Sequence, residues 1–101
     1  MTVQELKLKL DNKETIQILD VREKDEFLFA NIGGTHLALS ELAQRYQELD
    51  TEKSWVVLCH HGMRSAQAVA FLRNLGFLDV QNIAGGIEAW SVQIDMKVPR
   101  Y

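Results

Sequence analysis

The sequence predicts an α/β sandwich around a mostly parallel sheet, and three observations lead there. Short apolar, strand-like runs are separated by helix-like stretches along the whole chain. One of those runs, Trp55-Val56-Val57-Leu58, lacks polar alternation, as expected of a central strand covered on both faces. The 101 residues contain no internal repeat, linker or low-complexity tract, so residues 1–101 are expected to form one domain.

The elements follow in order. Thr2-Val3-Gln4-Glu5 fits a capping box, and Val3, Leu6 and Leu10 then share one helical face. Leu6 to Leu10 also alternates with period two, so a strand competes there, and the cap decides for helix. Ile16 to Val21 reads as a short strand carrying a carboxylate, Asp20, near its end. Glu23 to Phe29 is acidic first and apolar last, which suits a short helix. Gly33-Gly34 breaks the chain before a second strand at Thr35 to Leu37. Ser40 is a natural N-cap for the next helix, whose stripe is Leu39, Leu42, Ala43, Tyr46 and Leu49. Trp55 to Leu58 is the central strand, and Ser65 to Leu75 a nearly all-apolar helix stopped by Gly76. Asp79 to Ile83 is a last strand, Gly85-Gly86 a turn, and Ile87 to Val92 a last helix carrying Trp90 as a core residue.

Composition narrows the function classes. A net charge of −3 gives no reason to expect nucleic acid or an anionic membrane surface as partner. The lone cysteine cannot form an internal disulfide, so the fold does not depend on an oxidising compartment. Met1 to Lys13 lacks the apolar core of a signal peptide, and no run approaches the ~20 apolar residues that cross a bilayer. The expected location is the cytoplasm. No G-x-G-x-x-G or Walker pattern follows the glycine pairs, so no nucleotide or other cofactor is expected.

Chemistry concentrates in Cys59-His60-His61-Gly62-Met63-Arg64-Ser65, which sits on a strand-to-helix junction. In a mostly parallel sheet, ligands gather at the carboxyl ends of the strands, where Cys59 and Asp20 both fall. A thiol there faces free backbone N–H groups and the positive end of a helix dipole, which favour the nucleophilic thiolate. Left to itself, a single cysteine more often ends a buried strand as a small apolar residue. Gly62 and Arg64 reverse that reading, the first by freeing the loop backbone and the second by adding an anion-binding guanidinium.

These residues resemble a known family. Leu19-Asp20-Val21-Arg22 with Glu26-Phe27, the turn and strand from Asn31 to Leu39, the Cys59 loop, and Ala84-Gly85-Gly86-Ile87-Glu88-Ala89-Trp90 are similar to a single-domain rhodanese, a sulfurtransferase module. The chain departs from the usual His-Ile-Pro-Gly-Ala at Asn31-Ile32-Gly33-Gly34-Thr35, and Ala38 stands at a later proline position. The resemblance implies a rhodanese-like three-layer sandwich, with a central, mostly parallel five-stranded sheet and helices on both faces. It also implies covalent sulfur transfer. In that reading Cys59 takes sulfane sulfur from thiosulfate or from a persulfide donor, a partner protein's persulfide included, and passes it to a thiol or cyanide.

Cys59 and Arg64 bracket four residues. In the resembled family a loop of that length goes with sulfur, whereas a related phosphatase family has one more residue and room for a phosphate. A sulfur-carrier module loaded by a partner protein is the main alternative, and a phosphatase the lesser one. Backbone N–H groups from His60 to Ser65 would hold the persulfide, and Arg64 would pair with sulfonate oxygens or else form a structural salt bridge. His60 and His61 either contact the donor or only shape the mouth, and Met63 is a flexible apolar lip. A metal site from Cys59, His60 and His61 is not expected, because adjacent residues rarely aim at one ion and no carboxylate lies nearby in sequence. Asp20 and Arg22 are expected to brace the fold.

Overall fold

The Thr2 hydroxyl accepts the Glu5 N–H at 3.1 Å and starts helix α1, Val3–Asp11. The cap therefore wins over period-two alternation, and Val3 and Leu6 turn inward as the helical stripe requires. The computed structural model describes residues 1–101. After α1 come β1 (Gln17–Asp20), α2 (Lys24–Phe29), β2 (Thr35–His36) and α3 (Leu39–Arg45), which tightens into a 3₁₀ turn at Tyr46–Glu48. Then follow β3 (Ser54–Leu58), α4 (Met63–Asn74), β4 (Asp79–Asn82) and α5 (Gly86–Gln93).

The strands form one parallel sheet in the order β2-β1-β3-β4. Four strands form it, not the five implied by the resemblance. The one other segment with strand-like alternation, in Leu6 to Leu10, is consumed by α1. Parallel pairing needs a crossover between neighbours, and helices supply each one.

Alternation along β3 sorts the core into two layers. Trp55, Val57 and Cys59 join Leu42, Ala68, Val69 and Leu72 on the α3/α4 face. Val56 and Leu58 join Val3, Leu6, Ile87 and Trp90 on the α1/α5 face. The apolar run at 55–58 is thus buried from both sides, and the three-layer arrangement follows.

Two local expectations shift. Ser40 does not cap α3: the helix begins at Leu39 with Ala38 at the cap and no side-chain cap bond. The Leu39 N–H instead reaches back to the Val21 carbonyl at 3.0 Å, so the sheet rather than a hydroxyl sets where α3 starts. The apolar stripe predicted to Leu49 also breaks after Arg45. Leu49 is still buried, but on extended backbone beyond the 3₁₀ turn.

Candidate active site

Parallel register brings the carboxyl ends of β1, β3 and β4 together, with Asp20 opposite Leu58 and Val57 opposite Asn82. Cys59 follows β3 directly and is almost fully buried. Its loop closes at Gly62, which caps α4 at φ +108°, a conformation that glycine adopts without strain. That turn aims the Gly62 N–H at Cys59 Sγ, 3.0 Å away. The Ser65 hydroxyl, one helical turn on, lies 3.2 Å from the same sulfur. Sγ therefore sits in a small polar cradle at the N-terminus of α4, where first-turn N–H groups lack helical partners.

Two further elements hold the cradle. Asn82, at the end of β4, donates Nδ2–H to the Gly62 carbonyl at 3.1 Å and accepts from the Ser65 hydroxyl through Oδ1. The first turn of α5 takes the loop carbonyls: Ile87 N–H bonds Cys59 O at 2.9 Å and Glu88 N–H bonds His60 O at 3.1 Å. Gly86 makes this approach feasible, since a Cβ there would lie 2.4 Å from both of those oxygens. The loop is clamped between two helix N-termini.

The charged groups are arranged around the mouth. Arg64 forms a two-pronged pair with Glu26, at 2.6 Å from Nη1 to Oε1 and 2.9 Å from Nη2 to Oε2. The guanidinium holds the Glu26 carboxyl down at about 2 and is itself raised above its ordinary value. Tyr101 donates its hydroxyl to Glu26 Oε2 at 2.7 Å and accepts from Arg22 Nη1 at 2.9 Å. The Tyr101 ring stacks on His60 at 4.0 Å, and His60 stacks on His61 at 4.0 Å. Burial, with repulsion from His61, pushes His60 below the usual imidazole range, which leaves it uncharged at neutral pH.

Asp20 and Arg22 are both fully buried and paired, with Nε to Oδ1 at 2.9 Å and Nη2 to Oδ2 at 2.6 Å. Arg22 also donates to Ala30 O at 2.6 Å and so ties β1 to the end of α2. Neither residue touches the sulfur cradle, though Arg22 reaches the mouth through Tyr101.

His60, His61 and Glu88 bring two imidazoles and a carboxylate within 4.8 Å of one another, a donor set suited to a divalent transition metal. The carboxylate that sequence proximity did not supply arrives here from α5. Its Oε1 is already engaged by Arg100 at 2.5 Å.

Cys59, His60, His61, Met63 and Arg64 line a cavity of about 220 Å³, with Met63 largely exposed at its lip. A larger polar depression of about 600 Å³ against α2 and α3 contains no cysteine. Five of the seven predicted loop residues line this opening, while Gly62 and the buried Ser65 contact Sγ without lining it. Sequence reading missed Asn82 and Tyr101, and it met Glu26 and Glu88 only through the family motif.

A model of the rhodanese-like domain family matches residues 2–93. A Bacillus subtilis protein described as a putative sulfur carrier, YrkF, is 35% identical over 90% of this chain, and the chain spans half of its length. The thiosulfate sulfurtransferase GlpE of Pseudoalteromonas translucida is 32% identical over 92% of this chain and 90% of its own. The crystal structure of a rhodanese-related protein from Thermoplasma volcanium superposes with a TM-score of 0.83 at 34% identity. It covers 98% of this chain and 93% of that one.

Proposed function

The chain belongs to the rhodanese-like domain family, and from that premise we propose that it transfers sulfane sulfur through a persulfide on Cys59. The observation that carries this reading is the cradle at Sγ, where the Gly62 N–H at 3.0 Å and the Ser65 hydroxyl at 3.2 Å converge on one sulfur. No helix of the chain is long and apolar enough to cross a membrane. A cytoplasmic location belongs to the same reading, because a lone thiol nucleophile persists in a reducing compartment.

The reaction runs in two halves. In the first, the Cys59 thiolate attacks the outer sulfur of a donor, a sulfur–sulfur bond forms to Sγ, and the donor's own sulfur–sulfur bond breaks. Sulfite leaves if the donor is thiosulfate, and a thiolate leaves if it is a persulfide. In the second half an acceptor, a thiol or cyanide, attacks the outer sulfur and the Cys59 thiolate departs with the bonding pair. No net oxidation occurs. The Gly62 N–H already aimed at Sγ favours the attacking and departing thiolate without reorganisation, while the Ser65 hydroxyl, its proton given to Asn82 Oδ1, faces the sulfur as an acceptor.

A sulfur-carrier role is supported by the likeness to the Bacillus subtilis protein described as a putative sulfur carrier. It uses the same cysteine and differs in the donor, a protein persulfide. The phosphatase reading lacks such support, since both prongs of Arg64 are occupied and leave no free fork for phosphate oxygens. The test is cyanolysis. Protein treated with a sulfane donor, then desalted, is expected to release one equivalent of thiocyanate on adding cyanide, and Cys59→Ser none. Equal release from both proteins would place the sulfur elsewhere and end this reading.

A further inference from the structure

Arg64 provides the guanidinium that lines the sulfur cavity, and its two terminal nitrogens are both spent on Glu26 at 2.6 and 2.9 Å. Glu26 is itself fixed. Its Oε1 accepts the Glu23 N–H at 3.1 Å, its Oε2 accepts the Tyr101 hydroxyl at 2.7 Å, and that hydroxyl is anchored by the buried Arg22. The carboxylate is therefore a built part of the mouth rather than a mobile surface partner. His60, the ring next to the nucleophile, is packed between His61 and Tyr101 and its Nε2 is buried without a hydrogen bond. The remaining lip is apolar: Met63 is 78% exposed, and Phe29, 59% exposed, packs edge-on against Tyr101.

An arriving anion thus meets one cation that a fixed carboxylate has already neutralised. Thiosulfate carries two negative charges on a small head and needs fork donors for its sulfonate oxygens. To use Arg64 it must displace Glu26, leaving that carboxylate beside it as a repelling charge. An alkyl persulfide makes no such demand, because its leaving group is a thiol on an organic stem that suits an apolar lip.

We infer that Glu26 is a positioning residue for donor selection, which by occupying Arg64 biases Cys59 against sulfonate donors and toward organic persulfides. This rests on the sulfur-transfer reading above and names its donor class. The balanced step is attack of Cys59–S⁻ on the terminal sulfur of R–S–SH. The donor's sulfur–sulfur bond breaks as the bond to Sγ forms; RS⁻ leaves with the bonding pair and takes up the proton of the transferred sulfur, giving RSH and Cys59–S–S⁻.

The test uses the full chain and two probes, thiosulfate and 2-hydroxyethyl persulfide, which carries no sulfonate, in single-turnover loading followed by intact mass. Glu26→Gln keeps an oxygen for the Glu23 N–H and one Arg64 prong, and removes the charge together with the acceptor for the second prong and the Tyr101 hydroxyl. It is expected to raise the thiosulfate loading efficiency about 10-fold or more through a lower half-saturating concentration, while the persulfide rate stays within about 3-fold. Tyr101→Phe, which keeps the ring and loosens Glu26, is expected to shift the donor ratio the same way by less. A simple structural role for Glu26 would move both donors together. An unchanged donor ratio in both variants, or an equal fall for both donors, overturns the inference and leaves sulfur transfer standing. Failure of both donors to load wild-type protein overturns both.

Discussion

Gly86→Ala should damage stability and sulfur transfer together, because Gly86 lies where α5 presses on the active loop. At φ +60° an alanine costs about 1–2 kcal/mol in backbone strain alone. Its Cβ would also sit 2.4 Å from the carbonyl oxygens of Cys59 and His60, both backbone atoms that cannot swing aside. Relief requires α5 to retreat by an ångström or so, and overpacking of this kind costs about 1–3 kcal/mol. The retreat stretches the Ile87–Cys59 and Glu88–His60 backbone bonds, at about 1 kcal/mol each. The sum is roughly 4 kcal/mol or more, which for a domain of this size lowers Tm by about 20 °C. Gly76→Ala is the matched control, with positive φ (+88°) but nothing within 4 Å of its Cβ, so only the strain is expected. The assay is urea unfolding of both variants with single-turnover loading of Cys59. Loading should slow by about 100-fold in Gly86→Ala, as misplacement of a nucleophile by an ångström does, and stay near wild type in Gly76→Ala. Equal destabilisation of the two variants with unimpaired loading would refute the clamp.

Three further outcomes are expected. Arg22→Met leaves the Asp20 carboxylate buried without its cation and should cost about 3–5 kcal/mol in denaturant unfolding; a loss under about 1 kcal/mol would contradict the bracing role. Glu26 is depressed from its ordinary 4.5 to about 2, so its contribution to stability is complete above 4.5 and disappears as pH falls through about 2. The stability gap between wild type and Glu26→Gln should therefore narrow with falling pH across that window, and a constant gap would count against the ion pair. Asn82→Ala unties the Gly62 carbonyl and the Ser65 hydroxyl and should slow sulfur loading about 10-fold with little change in overall fold by circular dichroism. A loading rate equal to wild type would show that the cradle stands without Asn82.

What the sequence reveals is mostly local or periodic. The Thr2 cap and the doubly buried run at 55–58 are signals carried by neighbouring residues, and both appear in the structure as read; the helix after Cys59 starts at Met63 rather than Ser65, because Gly62 in its left-handed conformation caps it two residues early. Ser40 misleads for a physical reason: cap preference is worth about 1 kcal/mol, and a tertiary bond from Leu39 to Val21 outweighs it. The five-strand sheet came from family likeness rather than from strand-like segments in this chain, and the sheet has four. The mouth of the site is the least legible part. Arg64 meets Glu26 across 38 positions and Tyr101 meets Glu26 across 75, with no periodicity to announce either contact. Asn82 and Glu88 look like an ordinary strand end and an ordinary helix surface until the sheet register and the Gly86 turn bring them to the loop.

The most direct measurement is the intact mass of the protein before and after a sulfane donor, for wild type and Cys59→Ser side by side. If Cys59 is the nucleophile, wild type gains the mass of one sulfur atom, cyanide removes it, and Cys59→Ser gains nothing. No gain on wild type from either thiosulfate or an organic persulfide, or a cyanide-labile gain that persists in Cys59→Ser, would contradict sulfur transfer through Cys59.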